Sequence, residues 1–243
     1  MRAKEMEQLR MEHKLLSYLE KYDTPVGATT LVLVLGKEFG LSQASIGRKL
    51  MEFDALGYTE SKGRKGRLLA PPGKDRLTDI ERQLNQWRDQ SNLLDALNVS
   101  DEDSLLDMLI ARRALERETA WLAASKASGQ TIQELWHSIE AQEEVIADGR
   151  VPIEEDREFH ERIALASGNR VLLHALRLVW GEGAHLPATA LIRKAVGSEL
   201  VVDHRQIVEC IARHAPDEAA SAMVTHINQL IEDVRIYFDK SKA

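Results

Sequence analysis

The chain has 243 residues, of which 44% are hydrophobic and 29% are charged. This length fits two modest domains better than one, and each of them can bury a core. No apolar run approaches the roughly 18 residues of a membrane span, the first residues lack the apolar stretch of a signal peptide, and the single cysteine excludes an intrachain disulfide. We therefore expect a cytoplasmic protein with no membrane partner.

The formal net charge of −7 is unevenly distributed along the chain. Residues 1–74 carry 13 Lys and Arg against 9 Asp and Glu, whereas residues 75–243 carry 19 against 30. A basic first domain can meet the phosphates of a nucleic acid, while an acidic second domain is repelled by them. The charge pattern thus favours a nucleic-acid partner for the first domain alone.

The first domain has the pattern of a winged helix-turn-helix. Helices are predicted over residues 4–22, 29–39 and 43–56, where apolar residues recur near a 3.6-residue period. Gly40-Leu41-Ser42 predicts a tight turn between the last two, with Ser42 as the N-cap. Two short strands are predicted within 58–70, around the basic tip Lys62-Gly-Arg-Lys-Gly-Arg67. In this architecture the second helix of the pair enters the major groove, and the wing follows the backbone or the minor groove.

The candidate DNA contacts lie on the third helix and at the wing tip. Glutamine can pair with adenine, and arginine or lysine with guanine, whereas wing cations meet phosphates or the minor groove. A basic run is usually only a solvated loop, but this one follows a helix-turn-helix pattern at hairpin distance. The candidates are Gln43, Ser45, Arg48 and Lys49 for bases, and Lys62, Arg64, Lys65 and Arg67 for the wing.

Pro71-Pro72-Gly73 predicts the domain boundary, so we expect domains at 1–74 and 75–243. An amphipathic helix is predicted over 75–97 and would couple the two domains. The rest of the chain reads as almost all helix, which makes the predicted fold class mainly α. Glycines and Pro216 separate the predicted spans, which are 101–127, 131–147, 153–167, 170–182, 186–195, 198–213 and 216–239.

Four residues of the second domain form a candidate metal site. Asp156 and His160 are four residues apart, so both project from one face of a helix. His204 and His226 lie in later segments that also read as helical. Three imidazole nitrogens and one carboxylate oxygen suit a divalent transition ion such as Zn, Ni, Co or Mn. The pair Asp156 and His160 alone is more often an ordinary surface ion pair, and spacing alone does not decide between the two interpretations.

Arg112 is the candidate for an anion contact. The apolar stripe of its helix places Arg112 nearer the interior than Arg113, and a buried arginine needs an anionic partner. An effector carboxylate or a glutamate such as Glu116 could be that partner.

Several stretches resemble a known family. Residues 26–70 resemble the DNA-binding domain of GntR-type regulators, and the second domain resembles the FCD effector domain of the FadR subfamily. The resemblance is carried by Ala111-Arg-Arg-Ala-Leu-Glu-Arg-Glu-Thr-Ala-Trp-Leu-Ala-Ala124, Asp156-Arg-Glu-Phe-His-Glu-Arg-Ile-Ala-Leu-Ala-Ser-Gly-Asn169, Asp203-His-Arg-Gln-Ile-Val-Glu-Cys-Ile-Ala-Arg-His214 and Ala219-Ala-Ser-Ala-Met-Val-Thr-His226.

The resemblance implies a function as well as a fold. Asp156, His160, His204 and His226 match the metal ligands of metal-containing FCD domains, and Arg112 matches an arginine that lines the effector cavity. It further implies a helical bundle, a small carboxylate metabolite bound against the metal, and homodimers on palindromic double-stranded DNA operators. We therefore expect a transcription regulator and not an enzyme.

Two other classes of protein remain as alternatives. A metal with an open position can activate water, so a metal-dependent enzyme acting on a small carboxylate is one alternative. The chain has no His-Glu-x-x-His motif, and the basic wing has no role in such an enzyme. The other alternative is a DNA-binding protein that responds to no effector.

Overall fold

The computed structural model describes residues 3–181, 185–197 and 200–242. The residues group by their contacts into two compact units, Met1–Leu93 and Leu94–Ala243. The described residues contain eleven α-helices and one two-stranded antiparallel sheet. This confirms the predicted fold class, a winged helix-turn-helix followed by an all-helical bundle. Among the helices so described, none is long and apolar enough to cross a membrane.

The first unit consists of three helices, a hairpin and most of a fourth helix. Its elements are α1 (Ala3–Glu20), α2 (Ala28–Phe39), α3 (Gln43–Ala55), β1 (Thr59–Ser61), a 3-10 turn (Gly63–Lys65), β2 (Arg67–Leu69) and α4 (Pro71–Ala96). Thr59 pairs with Leu69 in the antiparallel hairpin, and Val26 forms an isolated antiparallel bridge with Arg67. The hairpin occupies the place predicted for the wing.

The turn between α2 and α3 has the predicted capping. Gly40 ends α2 in the left-handed region at φ 62°, a conformation that glycine adopts without a steric penalty. The Ser42 side chain accepts a hydrogen bond from the Ser45 backbone N–H and so caps α3. The inner face of α3 is fully buried and consists of Ile46, Leu50 and Phe53.

The Pro71-Pro72-Gly73 segment begins a helix, whereas the sequence had predicted a domain boundary there. Proline is tolerated in the first helical turn because the N–H it lacks has no intrahelical partner in any case. A Cβ at Gly73 would lie 2.2 Å from the backbone oxygen of Tyr58, so α4 can start this close to the hairpin only with glycine.

Leu77 and Ile80 of α4 are buried in the core of the first unit. Contacts therefore divide the chain after Leu93, later than the division after residue 74 that was predicted from Pro71-Pro72-Gly73.

The second unit is a bundle of seven helices within the described residues. They are α5 (Glu102–Lys126), α6 (Gly129–Ala147), α7 (Ile153–Ala166), α8 (Arg170–Trp180), α9 (His185–Val196), α10 (Leu200–Ala212) and α11 (Pro216–Lys242). α11 packs along α5, and α7 and α10 each contact both α5 and α6. The predicted spans agree with these helices, except that residues 182, 198 and 199 lie outside the described residues.

Most of the interior of the bundle is apolar, but one side of α5 is not. Asp101 and Ser104 form a capping box that starts this helix. Farther along, Arg112, Glu116 and Thr119 are each about 1% exposed. Their spacing places them on one face, so a polar stripe runs through the interior toward α7 and α8.

Candidate metal centre

The structure brings the four predicted ligands together inside the bundle. Asp156 and His160 lie on α7, His204 on α10 and His226 on α11, and the three histidines are at most 2% exposed. The Nε2 atoms of His204 and His226 are 3.3 Å apart. Asp156 Oδ1 lies 3.5 Å from His204 Nε2 and 3.7 Å from His160 Nε2. Three helices thus direct three imidazoles and one carboxylate oxygen at a common point.

The other nitrogen of each imidazole faces an acceptor. His204 Nδ1 is 2.7 Å from Gln142 Oε1, His160 Nδ1 is 2.6 Å from Glu116 Oε2, and His226 Nδ1 is 3.4 Å from Asp203 Oδ2. An acceptor at Nδ1 keeps the proton on that nitrogen and leaves the Nε2 lone pair facing the centre. The sequence had not indicated that Gln142 or Asp203 takes part in the site.

Burial disfavours the charged form of two of the imidazoles, those of His204 and His226. It is the main reason that the pKa of His204 lies well below its ordinary value of 6.5, and the nearby His226 and His160 lower it further. Burial also lowers the pKa of His226 to about 4, although the hydrogen bond to Asp203 opposes this shift. Neutral imidazoles have free lone pairs at neutral pH, as metal ligation requires.

Glu116 links the centre to the arginine on α5. Arg112 Nε donates to Glu116 Oε1 at 2.7 Å, and Trp180 Nε1 donates to the same oxygen at 3.3 Å. Burial raises the pKa of Glu116, but Arg112 and His160 outweigh it and the carboxyl stays ionised. Of the adjacent arginines, Arg112 is the buried one, and the anion that it contacts in this structure is Glu116.

A second buried arginine, which the sequence had not indicated, lies beyond His226. Arg193 on α9 is 3% exposed. Its Nη2 donates to Asp203 Oδ2 at 3.3 Å, and its Nε lies 3.3 Å from Asp233 Oδ2. Asp203 therefore contacts both Arg193 and His226. The Gln229 amide nitrogen, once the amide is turned to face its acceptors, also donates to Asp203.

The donor set fits a divalent transition ion. Buried polar atoms normally have hydrogen-bond partners, yet Asp156 Oδ1 and His160 Nε2 have none in the part of the chain that the structure describes. Three neutral imidazoles with one carboxylate are a ligand set that Zn²⁺ and its neighbours accept.

The charges around the centre fit such an ion as well. The neighbouring acidic side chains are Asp156, Asp203, Asp233 and Glu116, and the neighbouring arginines are Arg112 and Arg193. Carboxyl groups outnumber guanidinium groups by two, which favours a divalent cation at the centre.

The predicted base contacts on α3 lie on its outer side. Arg48 is exposed, and Gln43 donates to the Thr29 hydroxyl at 3.1 Å. Lys49 is paired with Glu52 at 2.8 Å and lies over the Phe53 ring. Ser45 is half-buried, and its backbone N–H donates to the Ser42 side chain that caps α3.

The wing residues divide into two groups. Lys62, Arg64 and Lys65 are exposed at the tip, with Lys62 paired to Glu60. Arg67 is different, because its Nε donates to Asp54 Oδ2 at 2.8 Å and so ties β2 to α3. Three of the four predicted wing cations are thus exposed, and Arg67 has a partner within the unit.

A winged helix-turn-helix followed by a helical bundle with a buried polar centre defines the class of two-unit DNA-binding regulators. Residues 107–229 match the FCD domain. The chain belongs to the FCD-domain family of GntR-type transcription regulators.

Named relatives agree with this assignment. The HTH-type transcriptional regulator LutR of Bacillus subtilis (strain 168) is 25% identical over 215 residues, which span 86% of this chain and 92% of that protein. The Exu regulon transcriptional regulator of Escherichia coli (strain K12) is 30% identical over 128 residues, which span 50% of this chain and 48% of that protein. Among solved structures, Streptococcus agalactiae GntR aligns over 92% of this chain and 98% of its own, with 19% identity and a TM-score of 0.46.

Proposed function

We propose that the operator affinity of this transcription regulator is controlled by a small carboxylate, which binds at a divalent transition metal held by Asp156, His160, His204 and His226. One observation carries the proposal: three buried imidazole nitrogens and one carboxylate oxygen converge from three helices. Zn, Ni, Co and Mn are the candidate ions.

The protein's own residues prepare the site for an anion. Glu116, Gln142 and Asp203 hold the three imidazoles with their Nε2 atoms inward. When bound, a divalent ion would supply positive charge and open positions for a hard oxygen donor. The anion would then be desolvated next to a charge of opposite sign. Arg112 stays the proposed effector contact on α5, and its Nε donates to Glu116, which in turn contacts His160.

DNA recognition is assigned to the first unit. Arg48 and its neighbours on α3 would meet bases, and the wing tip with Arg64 would meet phosphates or the minor groove. Two copies are required if the operator is palindromic, because a two-fold DNA site matches a two-fold protein dimer. Light scattering on the operator complex should therefore give two chains of 27.4 kDa each.

The effector can act only through a preference between two states of the protein. A hundredfold change in operator affinity requires about 2.7 kcal/mol of such preference. The centre takes side chains from α7, α10 and α11, and α5 joins it through Glu116. A ligand there can therefore favour one arrangement of four helices over another.

His160→Ala tests the proposal. An operator is first selected from random DNA with the purified wild-type protein. Metal content is then measured by mass spectrometry, and operator affinity by fluorescence anisotropy, with and without acetate, glycolate, malonate and succinate. We expect His160→Ala to lose the metal and every response to the acids while still binding the operator. The matched control is His137→Ala, because His137 is an exposed histidine on α6.

Two results would contradict the proposal. A metal-free His160→Ala protein that still changes its operator affinity with an acid would show that the effector binds without the metal. A wild-type protein that holds the metal but responds to none of the four acids would speak against a small carboxylate effector.

A further inference from the structure

Arg193 is buried, but the N–H donors of its guanidinium group make few hydrogen bonds. A guanidinium has five N–H donors, and charge-assisted hydrogen bonds to carboxylates are normally about 2.7–2.9 Å long. The contacts of Arg193 to Asp203 and Asp233 are both 3.3 Å. Its Nε and Nη1 have no hydrogen-bond partner among the described residues. Such atoms are rare in protein interiors because each unpaired donor costs free energy.

Arg112 provides the contrast. It is equally buried, but its Nε donates to Glu116 at 2.7 Å, which is within the normal range for a charge-assisted bond. Its partner Glu116 belongs to the same helix. Among the described residues, Arg193 is thus the buried arginine whose Nε makes no hydrogen bond.

Arg193 is also close to the candidate metal centre. Asp203 Oδ2 lies 3.3 Å from Arg193 Nη2 and 3.4 Å from His226 Nδ1. The Asp203 carboxylate and the His226 ring therefore lie between the Arg193 guanidinium and the three Nε2 atoms of the metal centre. Thr189, one helical turn before Arg193 on α9, is buried as well. α9 thus presents a polar face on this side of the centre.

We infer that Arg193 is the second recognition point of the effector, donating from Nη1 to an oxygen other than those of the metal-bound carboxylate. This rests on the proposed function above. It requires that the effector carry a carboxylate at one end and a hydrogen-bond acceptor at the other. Hydroxy acids, keto acids and sugar acids have this chemistry.

The charge around the site decides between a neutral and an anionic second group. Four carboxyl groups and two arginines have a combined formal charge of −2, which a divalent ion offsets. A monocarboxylate adds one negative charge, whereas a dicarboxylate adds two, in an interior of low dielectric. Asp233 is the residue that most directly competes for Arg193. The site therefore takes a monocarboxylate with a neutral oxygen in preference to a dicarboxylate.

The test uses three acids of the same carbon count that differ only at the far end. Butyrate ends in a methyl group, 4-hydroxybutyrate in a hydroxyl and succinate in a second carboxylate. Their affinities for the zinc-loaded full-length protein are measured by calorimetry, with zinc content determined in each sample. In the wild type we expect 4-hydroxybutyrate to bind about tenfold more tightly than butyrate, since a hydrogen bond to a charged group is worth about 1.5–3 kcal/mol. Succinate should bind no more tightly than 4-hydroxybutyrate.

Three variants assign the preference to Arg193. Arg193→Met should bind the three acids within twofold of one another, and Arg193→Lys should keep part of the preference. Asp233→Asn removes one competing negative charge, so the ratio of succinate affinity to butyrate affinity should rise about tenfold over that of the wild type. If Arg193 only anchors α9, Asp233→Asn should instead weaken all three acids alike. The comparison of the three acids in Asp233→Asn tests the role of Arg193 even if the Arg193→Met variant does not fold.

The outcomes separate this inference from the proposed function. Equal binding of butyrate and 4-hydroxybutyrate by the wild type overturns the role of Arg193 and leaves the carboxylate site intact. Succinate binding far more tightly than 4-hydroxybutyrate overturns the preference for a monoanion. If none of the three acids binds the zinc-loaded protein, the proposed carboxylate effector itself is rejected.

Discussion

Gln142→Leu isolates the contribution of one orienting hydrogen bond to the metal centre. Gln142 Oε1 lies 2.7 Å from His204 Nδ1, and both side chains are 0% exposed. Leucine is similar in size but cannot accept the imidazole proton. The His204 N–H would then be buried without a partner, which costs about 1–3 kcal/mol. The ring would also be free to turn its Nε2 away from the centre.

Metal affinity should fall accordingly. Loss of a partner behind a ligating histidine typically weakens metal binding 10–100-fold, which corresponds to about 1.4–2.7 kcal/mol. Zinc affinity is measured by competition with a chelating indicator, and the free energy of unfolding of the metal-free protein by urea denaturation. We expect both quantities to fall. Gln133→Leu is the matched control, because Gln133 is exposed on the same helix and its loss should change neither.

Gln142→Glu separates the hydrogen bond from the shape of the side chain. Glutamate accepts the same proton and adds negative charge behind the imidazole, which makes His204 a stronger ligand. Zinc affinity should therefore rise in this variant. A zinc dissociation constant in Gln142→Leu within twofold of the wild type would refute the reasoning, since His204 would then be held without Gln142.

Three further predictions concern pH, DNA and the wing. The pKa of His226 is 6.5 in the unfolded chain and about 4 in the folded one. The free energy of unfolding of the metal-free protein should therefore decrease as pH falls from 6.5 to 4. This residue contributes about 1.4 kcal/mol per pH unit to the decrease. Urea denaturation across that range checks this, and a midpoint independent of pH would contradict it. In anisotropy titrations, Arg48→Ala should cost about 1–3 kcal/mol at the cognate operator and relax base preference, whereas Arg64→Ala should weaken all sequences alike and reduce the salt slope by about 1. Gly66→Ala should destabilise the wing by about 1–3 kcal/mol or more, because Gly66 has φ 116° and a Cβ there would lie 2.4 Å from the Val26 carbonyl. Unchanged thermal unfolding of that variant would show that the hairpin adapts.

The helices were predictable because their ends are encoded locally. Ser42, Asp101 and Asn169 cap the helices that follow them, and glycines in the left-handed region end several others. Pro71 alone does not distinguish a boundary from a helix start, because a proline can either interrupt a chain or begin a helix. Only the packing of Gly73 against the hairpin shows that it begins one here.

The proposed metal ligands could be predicted from the sequence, whereas the residues that orient them could not. Asp156 and His160 share a helix face, His204 and His226 lie in later predicted helices, and the resemblance to FCD domains favoured a metal site made of all four. Gln142 lies 62 residues from the histidine that it orients, and a lone glutamine on a helix carries no signal in a single sequence. Asp203 is adjacent to His204 in the chain but contacts His226, so its neighbour in sequence would have been the wrong partner.

The two arginines differ in how much of their pairing a sequence can show. Arg112 and Glu116 are four residues apart on one helix, so a local rule already suggests their pairing. Arg193 draws its partners from α10 and α11, at distances set by how three helices pack. This packing leaves two of its nitrogens without a hydrogen-bond partner in the part of the chain that the structure describes. Donors that local partners do not satisfy are the ones that a ligand can use. Because Arg193 has no partner nearby in the sequence, the sequence alone gives no reason to single it out. The residue that we assign to effector recognition can be identified only in the folded protein.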